Sequence, residues 1–102
     1  MRALIVARQQ TPPPMEMMPI IIEGFHQWRD QYRDQMDHFS FFAGGTGGCG
    51  IVTVENEMDL HKLVATWPLT LYSDMQVEVL VDGDEALQFL TEFIQSQAVA
   101  IT

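Results

Sequence analysis

Residues Ile21, Phe25, Trp28, Tyr32 and Met36 recur at steps of four, three, four and four, which places all five on one face of a helix with a 3.6-residue period. The stretch before them rules out a longer helix. Gln9-Gln10-Thr11-Pro12-Pro13-Pro14 can neither continue a strand nor sit deep in a helix, because proline lacks the N–H and fixes φ. The spacing therefore predicts a first helix over residues 18–37, with Pro19 in its first turn, where the missing N–H costs nothing. Its opposite face carries Glu23, Gln27, Asp30, Gln31 and Asp34. Gly24 in its middle is read as a site of close packing on a sheet, since glycine costs a helix up to about 1 kcal/mol against alanine.

Short runs of a different period surround this helix. Residues 2–8 are aliphatic and β-branched, which predicts a central strand. Residues 39–43 and 50–54 are aromatic or β-branched and flank Gly44-Gly45-Thr46-Gly47-Gly48-Cys49, read as a hairpin whose glycines serve a wide turn or bulge. Asn56 and Asp59 approximate a capping box for a second helix over 57–66, which carries Met58, Leu60, Leu63, Val64 and Trp67 as its apolar stripe and ends at Pro68. Gln76 and Glu78 then alternate with Val77, Val79 and Val81, giving a strand with one wet and one dry face. Asp82 and Glu85 stand in capping register for a last helix, with Leu87, Leu90, Phe93 and Ile94 expected on its buried face. The tail over 96–102 is expected to fray or to strap across a partner.

The order strand, helix, strand, strand, helix, strand specifies an α+β, ferredoxin-like βαββαβ domain. It has an antiparallel four-stranded sheet, both helices on one face and a C-terminal helix appended. With 102 residues and 47% hydrophobic composition, one core and one domain over 1–102 are expected. The bare sheet face is too aliphatic for water, so a homodimer through sheet faces is expected.

Charge and cysteine content narrow the partners. Five basic residues, Arg2, Arg8, Arg29, Arg33 and Lys62, stand scattered against 14 acidic ones for a net charge of −9. That balance disfavours nucleic acid and anionic membrane surfaces, both of which need clustered cations. A lone cysteine, Cys49, excludes an intrachain disulfide, and the five-residue apolar run Ala3 to Ala7 is too short for a signal-peptide core or a span. A soluble, cytoplasmic protein is expected.

Candidate chemistry is sparse. His26 and His61 fall beside apolar helix stripes and read as boundary residues, while His38 reads as a C-terminal cap of the first helix. The histidines and Cys49 show no metal-ligand spacing, so no metal and no cofactor are expected. Cys49 reads as a thiol in a glycine-rich turn with no base in view. The run from Ala43 to Gly50 lacks the Lys-Ser/Thr pair of a phosphate loop and leads into a strand. Trp28, Tyr32, Phe41, Trp67 and Tyr72 are the expected lining of any pocket between helices and sheet, with His38 and Tyr72 as its polar, catalytically capable candidates.

Two resemblances add to this reading. The stretch from Glu57 through Leu60-His61, Leu63-Val64, Pro68-Leu69 and Tyr72 to Val77-Glu78-Val79 resembles the C-terminal half of muconolactone delta-isomerase, about a quarter of the chain and no catalytic signature. The glycine-rich hairpin with Tyr72-Ser73-Asp74 and Val81-Asp82-Gly83-Asp84 resembles a family of short bacterial proteins of unassigned activity in the same superfamily. The resemblances imply the dimeric α/β-barrel form of the fold and a small apolar cavity between sheet and helices. Three functions follow as expectations: a small-molecule-binding or scaffold protein; a cofactor-free isomerase or monooxygenase-like enzyme acting on a small hydrophobic acid, lactone or aromatic; and a regulatory or assembly subunit that uses the acidic helix face or the tail.

Overall fold

The first strand, β1 (Arg2–Gln9), lies inside the sheet, and every other element is placed relative to it. The computed structural model describes the backbone of residues 1–101 and the side chains of residues 1–97. After β1 come α1 (Met18–Tyr32), β2 (Met36–Phe41), β3 (Gly47–Thr53), α2 (Glu57–Ala65), β4 (Ser73–Leu80) and α3 (Gly83–Ile101). The strands form one antiparallel sheet in the order β2-β3-β1-β4. This is the α+β, ferredoxin-like arrangement that the order of periodicities specifies.

Register sorts the side chains between two faces. Ala3 pairs with Val52 and Val79, Ile5 with Gly50 and Val77, and Ala7 with Gly48 and Met75, so these residues share the face beneath the helices. Ala3, Ile5 and Ala7 are buried there with Val52 and Val54, under Trp28 and Tyr32 of α1 and Leu60, Leu63 and Trp67 from the α2 region. The caps act as the spacing predicts: the Asp59 N–H donates to Asn56 Oδ1 at 2.9 Å, and the Glu85 N–H to Asp82 Oδ2 at 3.0 Å.

Several expected boundaries shift. The first helix ends at Tyr32, and residues 33–35 form a 3₁₀ turn leading directly into β2. Met36 continues the apolar phase of the helix yet belongs to the strand, because its partner Val52 puts it on the same inner face. His38 therefore lies in β2 and caps no helix. Strand β3 begins at Gly47, so Cys49 is a strand residue and not a turn residue. Gly24 packs against Pro68 instead of the sheet, and an added Cβ would lie 3.6 Å from that ring, an ordinary contact.

The largest departure concerns the last two elements. Leu87, Leu90, Phe93 and Ile94, expected to be buried, are 48–63% exposed. Helix α3 runs outward from the sheet, and the molecule measures 69 × 26 × 22 Å. Its backbone continues through the segment expected to fray, as far as Ile101; the side chains of residues 98–102 lie outside the described residues. The valine row of β4 is dry only in pattern, since Val77 and Val79 are 36% and 62% exposed. Helices α1 and α2 cover β1, β2 and β3 and leave this edge strand open.

Candidate functional site

The space between helices and sheet narrows to a small cavity. Ile5 and Ala7 of β1, Gly48 and Gly50 of β3 and Met75 of β4 form its floor; Met36 and Phe39 of β2 form one wall. Trp28, Leu63 and Trp67 close it from above. The volume open to the centre of a water-sized sphere is 20 Å³, room for a single water, and a site this apolar does not hold one well. A larger guest enters only if Met36 and Met75 move, which their unbranched, flexible side chains permit.

Glycine creates this space. A Cβ on Gly48 would lie 2.6 Å from the Ser40 carbonyl oxygen, and one on Gly50 would lie 3.2 Å from Met36 Cε. Alternate glycines on β3 thus provide a bare patch of sheet beneath the aromatic rings. Gly47 has φ +142 and no room for a side chain, since its Cβ would fall on the carbonyl oxygen of Ala7. Cys49 borders the cavity between two of these glycines; strand alternation sends its thiol to the opposite face, beside Val6 and Ser40.

An aromatic cluster forms the roof and its margin. Trp67 lies 4.9 Å from both Phe25 and Trp28, edge to face, and Phe39 lies 5.3 Å from Phe41. Trp28 Nε1 donates to the Leu63 carbonyl oxygen at 3.0 Å. Trp67 Nε1 and Arg29 Nη1 are buried without a hydrogen-bond partner among the described residues. Both groups border one ring: the Arg29 guanidinium lies 5.2 Å from the Phe39 centroid, and the Trp67 ring lies 6.2 Å from it. A desolvated donor without an acceptor carries an energetic penalty that a bound acceptor would relieve.

The sequence-derived candidates distribute as follows. Trp28 and Trp67 line the cavity. Tyr32 is buried in the core beside it, where its hydroxyl accepts from Thr66 Oγ1 at 3.3 Å. Phe41 is 55% exposed at its margin. Tyr72 lines a separate groove of 430 Å³ that α1 forms with the segment following α2, together with Ile20, Gln31 and Leu71. His38 is exposed on β2, with Nε2 2.8 Å from Ser40 Oγ. His38 and Tyr72 thus belong to strands at, or leading into, opposite edges of the sheet. His26 and His61 are exposed on their helices. Among the described residues, no group of three or more His, Cys, Asp or Glu side chains could hold a metal ion. No helix among them is long and apolar enough to cross a membrane.

Gly48, Gly50, Met36, Phe39, Leu63 and Met75 line the cavity without having been singled out for it. The available signal was the alternation of Gly48 and Gly50 ahead of a β-branched run, which marks a strand floor as readily as a turn.

The face turned away from the helices is the second surface of interest. Leu4, Val6, Cys49 and Ile51 form its half-buried centre. Polar groups rim it, among them Asp37, which accepts from Arg2 Nε at 3.3 Å and Thr53 Oγ1 at 2.8 Å, and Gln76 and Glu78 on β4. An apolar centre with a polar rim is the composition of a protein interface.

The sequence matches no family profile and no curated protein. Solved structures do share the fold. A 5-chloro-2-hydroxyhydroquinone dehydrochlorinase from Burkholderia phenoliruptrix, in complex with 2,5-dihydroxybenzoquinone, superposes with a TM-score of 0.63 at 18% identity. That match covers 83% of this chain and 98% of the other. A muconolactone isomerase superposes with a TM-score of 0.69 at 17% identity, over 80% of this chain and 90% of the other. The chain has the fold of these proteins, as the resemblance over residues 57–79 implies.

Proposed function

We propose that this chain is a cytoplasmic small-molecule-binding or scaffold protein that pairs with a second copy through the outer sheet face and acts with neither metal nor cofactor. The observation that carries the binding reading is the apolar cavity under Trp28 and Trp67, where the buried Trp67 Nε1 has no acceptor among the described residues. A ligand with a flat hydrophobic body would displace the methionines and fill the space, and an acceptor group on it would satisfy Trp67 Nε1. Of the proposed lining, Trp28 and Trp67 would meet such a guest directly, with Tyr32 packed behind them and Phe41 at the margin, while Tyr72 belongs to the separate groove.

Native mass spectrometry of gently purified protein tests this reading. The expected result is a dimer with a discrete retained mass, or one that acquires a mass when hydroxylated aromatics or lactones are added. A protein that binds none of them, with unchanged tryptophan fluorescence throughout, would overturn the binding reading and leave the scaffold.

The shared fold supports a second reading, since both comparison proteins are named as enzymes, an isomerase and a dehydrochlorinase. This chain would then be a cofactor-free isomerase or monooxygenase-like enzyme acting on a small hydrophobic acid, lactone or aromatic, with Tyr72 and His38 as its titratable groups. Unchanged turnover of an identified substrate in both Tyr72→Phe and His38→Ala would remove these two residues from that role.

A further inference from the structure

Helix α3 is amphipathic. At 100° per residue, Ala86, Leu87, Phe89, Leu90, Phe93 and Ile94 fall on one arc of its circumference, and Asp84, Glu85, Gln88, Thr91, Glu92, Gln95 and Ser96 fall on the other. Such a division is the pattern of a helix that lies on an apolar surface, yet the apolar arc lies open to water. Its five large side chains each leave roughly 100–150 Å² exposed, about 600 Å² together, as much as the largest patch on an ordinary monomer. A second surface in the same chain has the complementary defect. Strand β4 alternates Gln76 and Glu78 with Val77 and Val79, and its valine row, which faces the helix side of the sheet, is uncovered. Leu71, two residues before the strand, is 93% exposed.

We infer that α3 is an exchanged arm: the apolar arc of each copy lies along the helix-side face of β4 in a second copy, and the exchange is mutual. The dimensions fit. An α-helix of 19 residues is about 28 Å long, and a strand of eight residues about 26 Å. Only Val81 and Asp82 separate the two elements, Asp82 caps the helix, and α3 leads outward from the end of β4. A two-fold axis at this junction brings each α3 beside the other copy's β4, so one operation covers both bare surfaces. The mutual exchange buries on the order of 2,000 Å², the area of a stable dimer. A membrane is a poorer occupant, because the polar arc has three carboxylates and no lysine or arginine to meet anionic headgroups.

The inference does not depend on the ligand or on pairing through the outer sheet face. It is tested in the full chain on a Cys49→Ser background, by mixing a Phe93→Cys chain with a Val79→Cys chain of different mass and adding a flexible bismaleimide. Cross-linked pairs containing one chain of each kind are expected, and Leu90→Glu should abolish them and raise the dimer dissociation constant at least tenfold. Circular dichroism of that variant should be unchanged, because Leu90 lies outside the hydrophobic core of its own chain. A Phe93→Cys/Val79→Cys chain on the same background serves as the control: cross-linking within it, with none between the two singly substituted chains, would mean that α3 folds back onto its own β4, and absence of any cross-link would leave the arm without a partner copy; either result overturns the inference.

Discussion

Replacement of Leu63 by alanine measures how far the core depends on the junction of helices and sheet. Leu63 is 1% exposed, and its side chain helps to close the cavity over β1 and β3. Truncation removes about 2 kcal/mol of transfer free energy and opens a further void of roughly 80 Å³, which at about 24 cal/mol per Å³ adds another 2 kcal/mol. The void joins the existing cavity, so collapse of the neighbours cannot readily refill it. A loss of about 4 kcal/mol follows, a large share of the total stability of a domain this size. Chemical denaturation by urea, followed by tryptophan fluorescence and fitted with a common slope for both proteins, reads the difference. The enlarged cavity should also admit small apolar guests such as benzene and recover part of the loss in their presence. A loss below about 1 kcal/mol would refute the reasoning, because it would mean that the aromatic roof settles into the space.

Other perturbations address single elements. Gly47→Ala should cost at least about 2 kcal/mol, since alanine tolerates neither the φ of +142 nor the position of the Ala7 carbonyl oxygen; thermal denaturation reads it, and a neutral result would mean that the hairpin rearranges freely. Asn56→Ala removes the side-chain acceptor at the start of α2 and should cost about 1 kcal/mol, whereas Asn56→Asp should retain most of it.

The fold was largely legible because its determinants are local. A period of two or 3.6 residues, the three prolines after β1, Asn56 and Asp82 as caps and Pro68 as a stop each act within a few residues of chain, and together they dictate the element order. Met36 shows where local reading fails. Its apolar side chain satisfies both the helical stripe and the inner row of β2, and only pairing with Val52 selects the strand. The glycines were ambiguous for a related reason: a turn and a strand floor both require a missing side chain, and the demand for space at Gly48 comes from Ser40 and Phe41 across the sheet.

The candidate site was legible only in part. Trp28 and Trp67 announced themselves as large apolar residues at stripe positions, but Tyr72 and His38, chosen for their chemistry, depend on elements at opposite edges of the sheet. No local signal sets the distance between two residues 34 positions apart in sequence. The sequence alone determined which faces are apolar, including the valine row of β4 and the arc of α3, because amphipathic patterning is written residue by residue. What covers each face was decided by tertiary structure. Packing is a contest for a limited area of sheet: α1 and α2 cover the floor over β1, β2 and β3, and β4 and α3 keep their apolar surfaces open beyond them.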